Sequence, residues 1–168
     1  MAELKKIRVR EARPRDVGLF RSLWSQFLRE QQEAGSIIRG DSEKNLEIFT
    51  NVFKTYVDKE ASEYDQHNGI ALFIGEVAVL LVGASGNSVE MTIGRRPARV
   101  WGIYVIPDQR DKGIEVKLYE EAFKRLREMG FDAVFGNNAL ESVLGHITCS
   151  SEHLVYVELK DNNMKDDK

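Results

Sequence analysis

The sequence predicts an α/β (α+β) domain in which helices cover the faces of a mixed β-sheet. Three observations carry that expectation. Segments with a two-residue apolar period alternate with segments of three- and four-residue period along nearly the whole chain. The length, 168 residues, suits one domain with a substantial core. Apolar residues make up 42% and charged residues 30%, the balance of an ordinary soluble globular protein.

The first element is a strand over Ile7–Glu11, with Ile7, Val9 and Glu11 on one face and Arg8 and Arg10 on the other. Pro14 breaks it. Asp16 is placed to cap a helix whose apolar stripe is Val17, Phe20, Trp24, Phe27 and Leu28, running to Gln32 and stopping near Gly35. Ser36 to Gly40 reads as a loop. Asp41 or Ser42 caps a second helix striped by Leu46, Phe49, Phe53, Tyr56 and Val57, with a solvated charged face opposite. After a turn over Gln66–Gly69 come two strand-like runs, Ile70–Ile74 and Val77–Val82. Gly75-Glu76 between them makes a hairpin, or a bulge in one long strand.

Ala84–Asn87 turns again, Val89–Ile93 reads as a short strand and Gly94–Pro97 as a loop. Arg99–Val105 is rich in β-branched and aromatic residues and reads as a strand ended by Pro107. A helix from Gly113 to Met129 follows. Val116, Tyr119, Phe123 and Leu126 share one face, with Leu118, Ala122 and Met129 beside them, and Gly130 is its stop. Phe131–Phe135 is a further strand, Asn138–Leu144 a short helix and Leu154–Leu159 a closing strand. Residues 1–160 form one domain on this reading, and Asp161–Lys168 a polar, frayed tail.

A net charge of −3 gives the chain no overall attraction to nucleic acid or anionic membranes, and neither is expected as a partner. The single cysteine, Cys149, excludes an intrachain disulfide and reads as a small hydrophobe. Met1–Lys6 lacks an apolar signal core, and the longest apolar run, Val77–Val82, is too short to span a bilayer. A cytoplasmic protein is expected, with a homodimer left open. His67, His146 and His153 have no metal-ligand spacing with Cys149 or each other, so no metal is expected. Gly83-Ala84-Ser85-Gly86 lacks the Gly-Lys-Ser/Thr of a nucleotide-binding P-loop. Trp24 and Trp101 sit in apolar patterns and read as core. Tyr104 either lines a groove or packs within its strand.

The most informative stretch runs from Val100 to Glu115, where a strand passes through a basic turn into a helix. Amides at a helix N-terminus are unpaired and carry partial positive charge, so they suit a phosphate. Gly113 lets the backbone approach such an anion, and Arg110 and Lys112 add charge.

Val105, Pro107, Arg110 and Gly113, followed by the helix through Leu118 to Gly130, resemble motif A of the GCN5-related N-acetyltransferase (GNAT) family. The order of elements resembles that family from Ile7 to Leu159. The resemblance implies a mostly antiparallel mixed sheet of about six or seven strands flanked by about four helices. It also implies acetyl-CoA as cosubstrate and an amine-bearing small molecule or peptide as acceptor. The implied cofactor-binding residues are Ile103, Tyr104 and Val105 on the strand, Arg110, Asp111, Lys112, Gly113, Ile114 and Glu115 in the turn, and Asn138 beyond.

The sequence departs from the family pattern at three places. Glu115 stands where a Gly or Ala is usual. Facing a phosphate at about 4 Å it would repel by roughly 1–4 kcal/mol; pointing outward it would cost little. The second motif is short: Asn137 or Asn138 can be its Asn and Gly145-His146 its end, with no Tyr between. Tyr156 is the nearest spare phenol by sequence for protonating the CoA thiolate. Arg99 occupies the strand position where some members carry a basic Glu, which leaves Glu90 as a remote candidate base. The expected activity is direct acetyl transfer from acetyl-CoA to a primary amine. The acceptor is expected between Ser36–Gly40 and Glu90–Pro97, where Arg95, Arg96 and Arg99 favour an anionic one. The rival expectation is a GNAT-like binding or regulatory module without turnover.

Overall fold

The computed structural model describes residues 8–35, 42–58, 69–84, 96–136, 149–151 and 154–158. Seven strands form one sheet: β1 (Val9–Glu11), β2 (Gly69–Ile74), β3 (Ala78–Ala84), β4 (Pro97–Val105), β5 (Ala133–Gly136), β6 (Cys149–Ser151) and β7 (Leu154–Glu158). Their order is β1-β2-β3-β4-β5-β7-β6. Every pairing is antiparallel except β4 with β5. The described helices are α1 (Val17–Glu33), α2 (Ser42–Val57) and α3 (Ile114–Glu128). The sheet is thus mixed and mostly antiparallel, as expected. The expected strand at Val89–Ile93 and helix at Asn138–Leu144 lie outside the described residues.

β2 and β3 are buried on both faces, and their near-continuous apolar sequence reflects that. Gly75, at φ 51°, turns them into a hairpin rather than a bulged single strand. β6 was not expected; Cys149-Ser150-Ser151 has no apolar alternation, and only its pairing with β7 makes it a strand. Asp16 caps differently from expectation. Its carboxylate accepts the Arg13 N–H at 2.7 Å and the Arg10 guanidinium at 2.7 and 3.1 Å, closing the turn before α1 rather than bonding into it. The bond from Arg10 holds its carboxyl below the usual carboxylate range.

Each face of the sheet has its own core. On one, α3 lays Ile114, Leu118, Ala122 and Leu126 over Leu72, Leu80 and Val134. On the other, α1 and α2 lay Phe20, Trp24, Phe27 and Phe53 over Phe73, Leu81 and Tyr104. Phe20 stacks between Trp24 and Phe53, at 5.0 and 4.4 Å between ring centroids. Thr50, on the buried side of α2, satisfies its hydroxyl by donating to the Leu46 carbonyl at 2.6 Å.

Candidate active site

Among the described pairings, β4 is paired on both sides only at Ala98 and Arg99. Pro97, Ala98 and Arg99 face Ala133, Val134 and Phe135 of β5, and beyond Arg99 that pairing ends while pairing with β3 continues to Val105. The two parallel strands therefore part, and β4 keeps one open edge. The Ile106 N–H bonds Val77 on the β3 side, so strand alternation turns the backbone groups of Val105 and Ile103 to the open side. The Val105 carbonyl agrees, accepting the Arg110 Nε–H from there at 2.9 Å.

A bulge re-aims side chains just where the strands part. Leu81 pairs with Gly102 and Val82 with Val100, leaving Trp101 as the extra residue. Val100, Ile103 and Val105 pack toward α3, whereas Trp101 and Tyr104 pack toward α1 and α2. Gly102 faces α1 as well: a Cβ there would meet Phe27 at 2.8 Å and Trp24 at 2.9 Å. Trp101 is half-buried rather than core, edge-on to Phe49, and its indole N–H donates to the Tyr56 hydroxyl at 2.9 Å. Burial pushes the Tyr56 phenol up to about 12, so it stays protonated. The Arg99 guanidinium lies over the Trp101 ring, 4.8 Å from its centroid.

After β4, a short 3-10 turn over Pro107–Gln109 leads to α3. Asp111 (φ 59°) and Gly113 (φ 73°) both adopt the left-handed conformation, which Gly tolerates and Asp accepts at a cost of about 1 kcal/mol. Gly113 is the N-cap, and no side chain caps the helix. The first intrahelical bond runs from Lys117 to the Gly113 carbonyl, so the first-turn amides are free of helical partners. Ile114 anchors the turn in the core, Lys112 is exposed, and Glu115 is half-buried. Glu115 lies close enough to the Tyr119 phenol to add to the upward push that burial gives it.

The Arg110 charge is not free for a ligand. Its guanidinium makes a two-pronged ion pair with Glu30 of α1, at 2.8 and 2.7 Å, and lies over the Tyr104 ring. Tyr104 is buried, resolving the alternative toward packing; burial and Glu30 raise its phenol. No sequence signal joined Glu30 to Arg110, because they stand 80 residues apart. Glu90, Arg95 and Asn138 lie outside the described residues. Tyr156 pairs with Phe135, which pairs with Arg99, so its backbone stands level with the point where β4 and β5 part. Asp111, Lys112, Gly113, Ile114 and Glu115 directly follow Arg110, whose Nε–H bonds the Val105 carbonyl at the open edge. A separate concavity of about 930 Å3 opens by β1, lined by Arg10, Arg13, Lys54 and Asp58 among others, but it lies three strands from β4. Among the described residues no group of three His, Cys, Asp or Glu could hold a metal, and no helix is long and apolar enough to cross a membrane.

No protein-family model matches the chain, and no curated protein matches its sequence. Solved structures do match its fold. A GNAT-family acetyltransferase from Brucella melitensis, solved in complex with acetyl-CoA, superposes with a TM-score of 0.58 at 12% identity, covering 92% of this chain and 89% of that one. A GNAT-family N-acetyltransferase from Escherichia coli, in complex with CoA, gives 0.59 at 13% identity, over 92% and 82%. An aminoglycoside antibiotic 6'-N-acetyltransferase from Acinetobacter haemolyticus gives 0.59 at 13%, over 86% and 94%. With its sheet parting after Arg99 and its helix N-terminus uncapped at Gly113, the chain has the fold of the GCN5-related N-acetyltransferases.

Proposed function

We propose that the protein is an N-acetyltransferase, moving an acetyl group from acetyl-CoA directly to a primary amine of a small molecule or peptide. The observation that carries this reading is β4, paired on one side only beyond Arg99 and leading to an uncapped helix N-terminus. The Brucella and Escherichia neighbours, solved with acetyl-CoA and CoA, support extending that ligand to this fold.

The residues divide the work. The first-turn amides from Gly113 through Glu115 suit the pyrophosphate, with Lys112 alongside as a mobile cation. Arg110 acts through geometry, since Glu30 and the Val105 carbonyl hold its side chain. The open-edge groups of Ile103 and Val105 suit the amides of the pantetheine arm, while Tyr104 fixes the strand through its packed ring. Acetyl-CoA, when bound, supplies the activated thioester. The Ile103 N–H would donate to the acetyl oxygen, stabilising the charge that grows there as a neutral amine adds to the carbonyl carbon. The C–S bond then breaks, the nitrogen loses a proton, and the thiolate gains one. Tyr156, level with Arg99 in the sheet register, is the proposed proton donor; Glu90 is the proposed remote base. Asn138 is proposed to meet the cofactor beyond β5.

Thermal unfolding with and without acetyl-CoA tests the first step. At 100 times its dissociation constant the ligand should add about 2.7 kcal/mol, several degrees for this size. No shift at millimolar acetyl-CoA sinks the reading. Glu115, half-buried in the first turn, supports a second one: a binding module that has lost turnover. Glu115→Gly separates them. Affinity created where the parent has none favours the module, and acetyl-CoA binding already present in the parent, with transfer to an amine, favours the enzyme.

A further inference from the structure

We infer that Arg99 selects the acceptor, and that the acceptor is a primary amine bearing a carboxylate or phosphate within a few bonds of its nitrogen. This rests on the acetyltransferase reading and narrows its substrate class.

Four guanidinium groups lie over aromatic rings: Arg10 over Phe73, Arg96 over Phe131, Arg99 over Trp101 and Arg110 over Tyr104. Three of them also give their N–H groups to oxygen. Arg10 bonds Asp16, Arg96 bonds the Met129 carbonyl, and Arg110 bonds Glu30. Arg99 is the exception, with no oxygen acceptor among the described residues. A ring face engages the cation's charge but leaves the in-plane N–H donors of the guanidinium open, and that fork matches a carboxylate or phosphate.

Its place in the sheet gives the open fork a purpose. Arg99 is the last β4 residue paired to β5, so it stands at the mouth of the parting. Phosphates at the N-terminus of α3 would lie toward that helix's side of the sheet. An amine reaching a thioester held between β4 and β5 therefore arrives from the other face, where α1 and α2 lie. Arg99 is on that face, because it covers Trp101, which packs with Phe49 there. Ile103 is two residues beyond Trp101, about 7 Å along the strand. An oxyanion on Arg99 would leave an amine a few bonds away within reach of a carbonyl held at Ile103. The nearby cation also favours the neutral, nucleophilic form of that amine.

The test pairs each anionic amine with a neutral counterpart: β-alanine with β-alaninamide, and phosphoethanolamine with ethanolamine. In acetyl-transfer assays the wild-type protein should prefer at least one anionic member by about tenfold or more in kcat/KM. Whichever pair shows the larger ratio identifies carboxylate or phosphate. Arg99→Gln should bring the ratio close to one, and Arg99→Lys should restore part of it. A second readout needs no turnover: the Trp101 indole N–H resonance should shift on titration with the anionic amine in wild type and not in Arg99→Gln. Equal rates within both pairs, or an unchanged ratio in Arg99→Gln, overturns the inference. If no amine is acetylated, the acetyltransferase reading fails separately, and the indole titration still decides whether Arg99 binds the oxyanion.

Discussion

The two faces of the sheet are built from different materials. The α3 face is mainly aliphatic: Leu72, Leu80, Leu118, Leu126 and Val134 fill it, and its chief contribution to the site is to seat Ile114 so that the helix N-terminus points outward. The α1/α2 face is aromatic, and its rings carry polar tips. The Trp101 N–H reaches Tyr56, the Tyr104 hydroxyl sits near Gln26 and Glu30, and the buried Trp24 N–H finds no acceptor among the described residues. Aliphatic packing fixes position and asks for nothing else. Aromatic packing also sets orientation where a polar tip is matched, as at Trp101 and Tyr104. Arg99, the side chain proposed to meet an acceptor, lies on the aromatic face.

The comparison can be broken most severely at its aromatic centre. Phe53 is fully buried, stacked on Phe20 and edge-on to Phe73. Phe53→Ala should cost about 3–5 kcal/mol in denaturant unfolding; a loss under 1 kcal/mol would mean that this face is loosely packed. Tyr56→Phe keeps the ring and removes the acceptor of the Trp101 N–H. We expect a loss of about 1–3 kcal/mol, with a pH signature. Folding raises the Tyr56 pKa from 10.0 to about 12, so its contribution is complete below pH 10 and falls away as pH rises toward 12. Stability measured across that range should decline less in the variant; an identical decline would assign the limb to other groups. Two glycines that differ in surroundings give opposite signs, the second of them the smallest effect. Gly102→Ala drives a Cβ into Trp24 and Phe27 and should destabilise by about 1–3 kcal/mol. Gly18, in α1, has nothing within 4 Å of an added Cβ, and Gly18→Ala should stabilise by up to about 1 kcal/mol. Equal signs for the two would contradict the close approach of β4 to α1.

Much of this was legible in the sequence because local pattern and tertiary role agree. The α1 stripe, the strand ending before Pro107 and the turn into α3 all follow from spacing and from Gly and Pro positions. What escaped depends on partners distant in the chain. Cys149–Ser151 becomes a strand only by lying beside β7. Arg110 reads as a ligand for phosphate until Glu30 is seen to hold it. The chain Val100-Trp101-Gly102-Ile103 looks like unbroken alternation, and only the register against β3 reveals the extra residue.

That extra residue works as a phase shift within β4. On one side of it Ala98 and Val100 face the aliphatic core; on the other, Ile103 and Val105 do, although the two sets are an odd number of positions apart. Smoothing the bulge away without removing a residue, so that β4 paired one to one with β3, would behave like a frameshift written in side chains rather than codons. The C-terminal half would keep its faces while the N-terminal half exchanged them. Arg99 would then be driven among Leu118 and Leu126, and Val100 would be left at the mouth where the guanidinium had been. In β4 the grammar that separates packing from recognition rests on the count of residues, and one letter sets it.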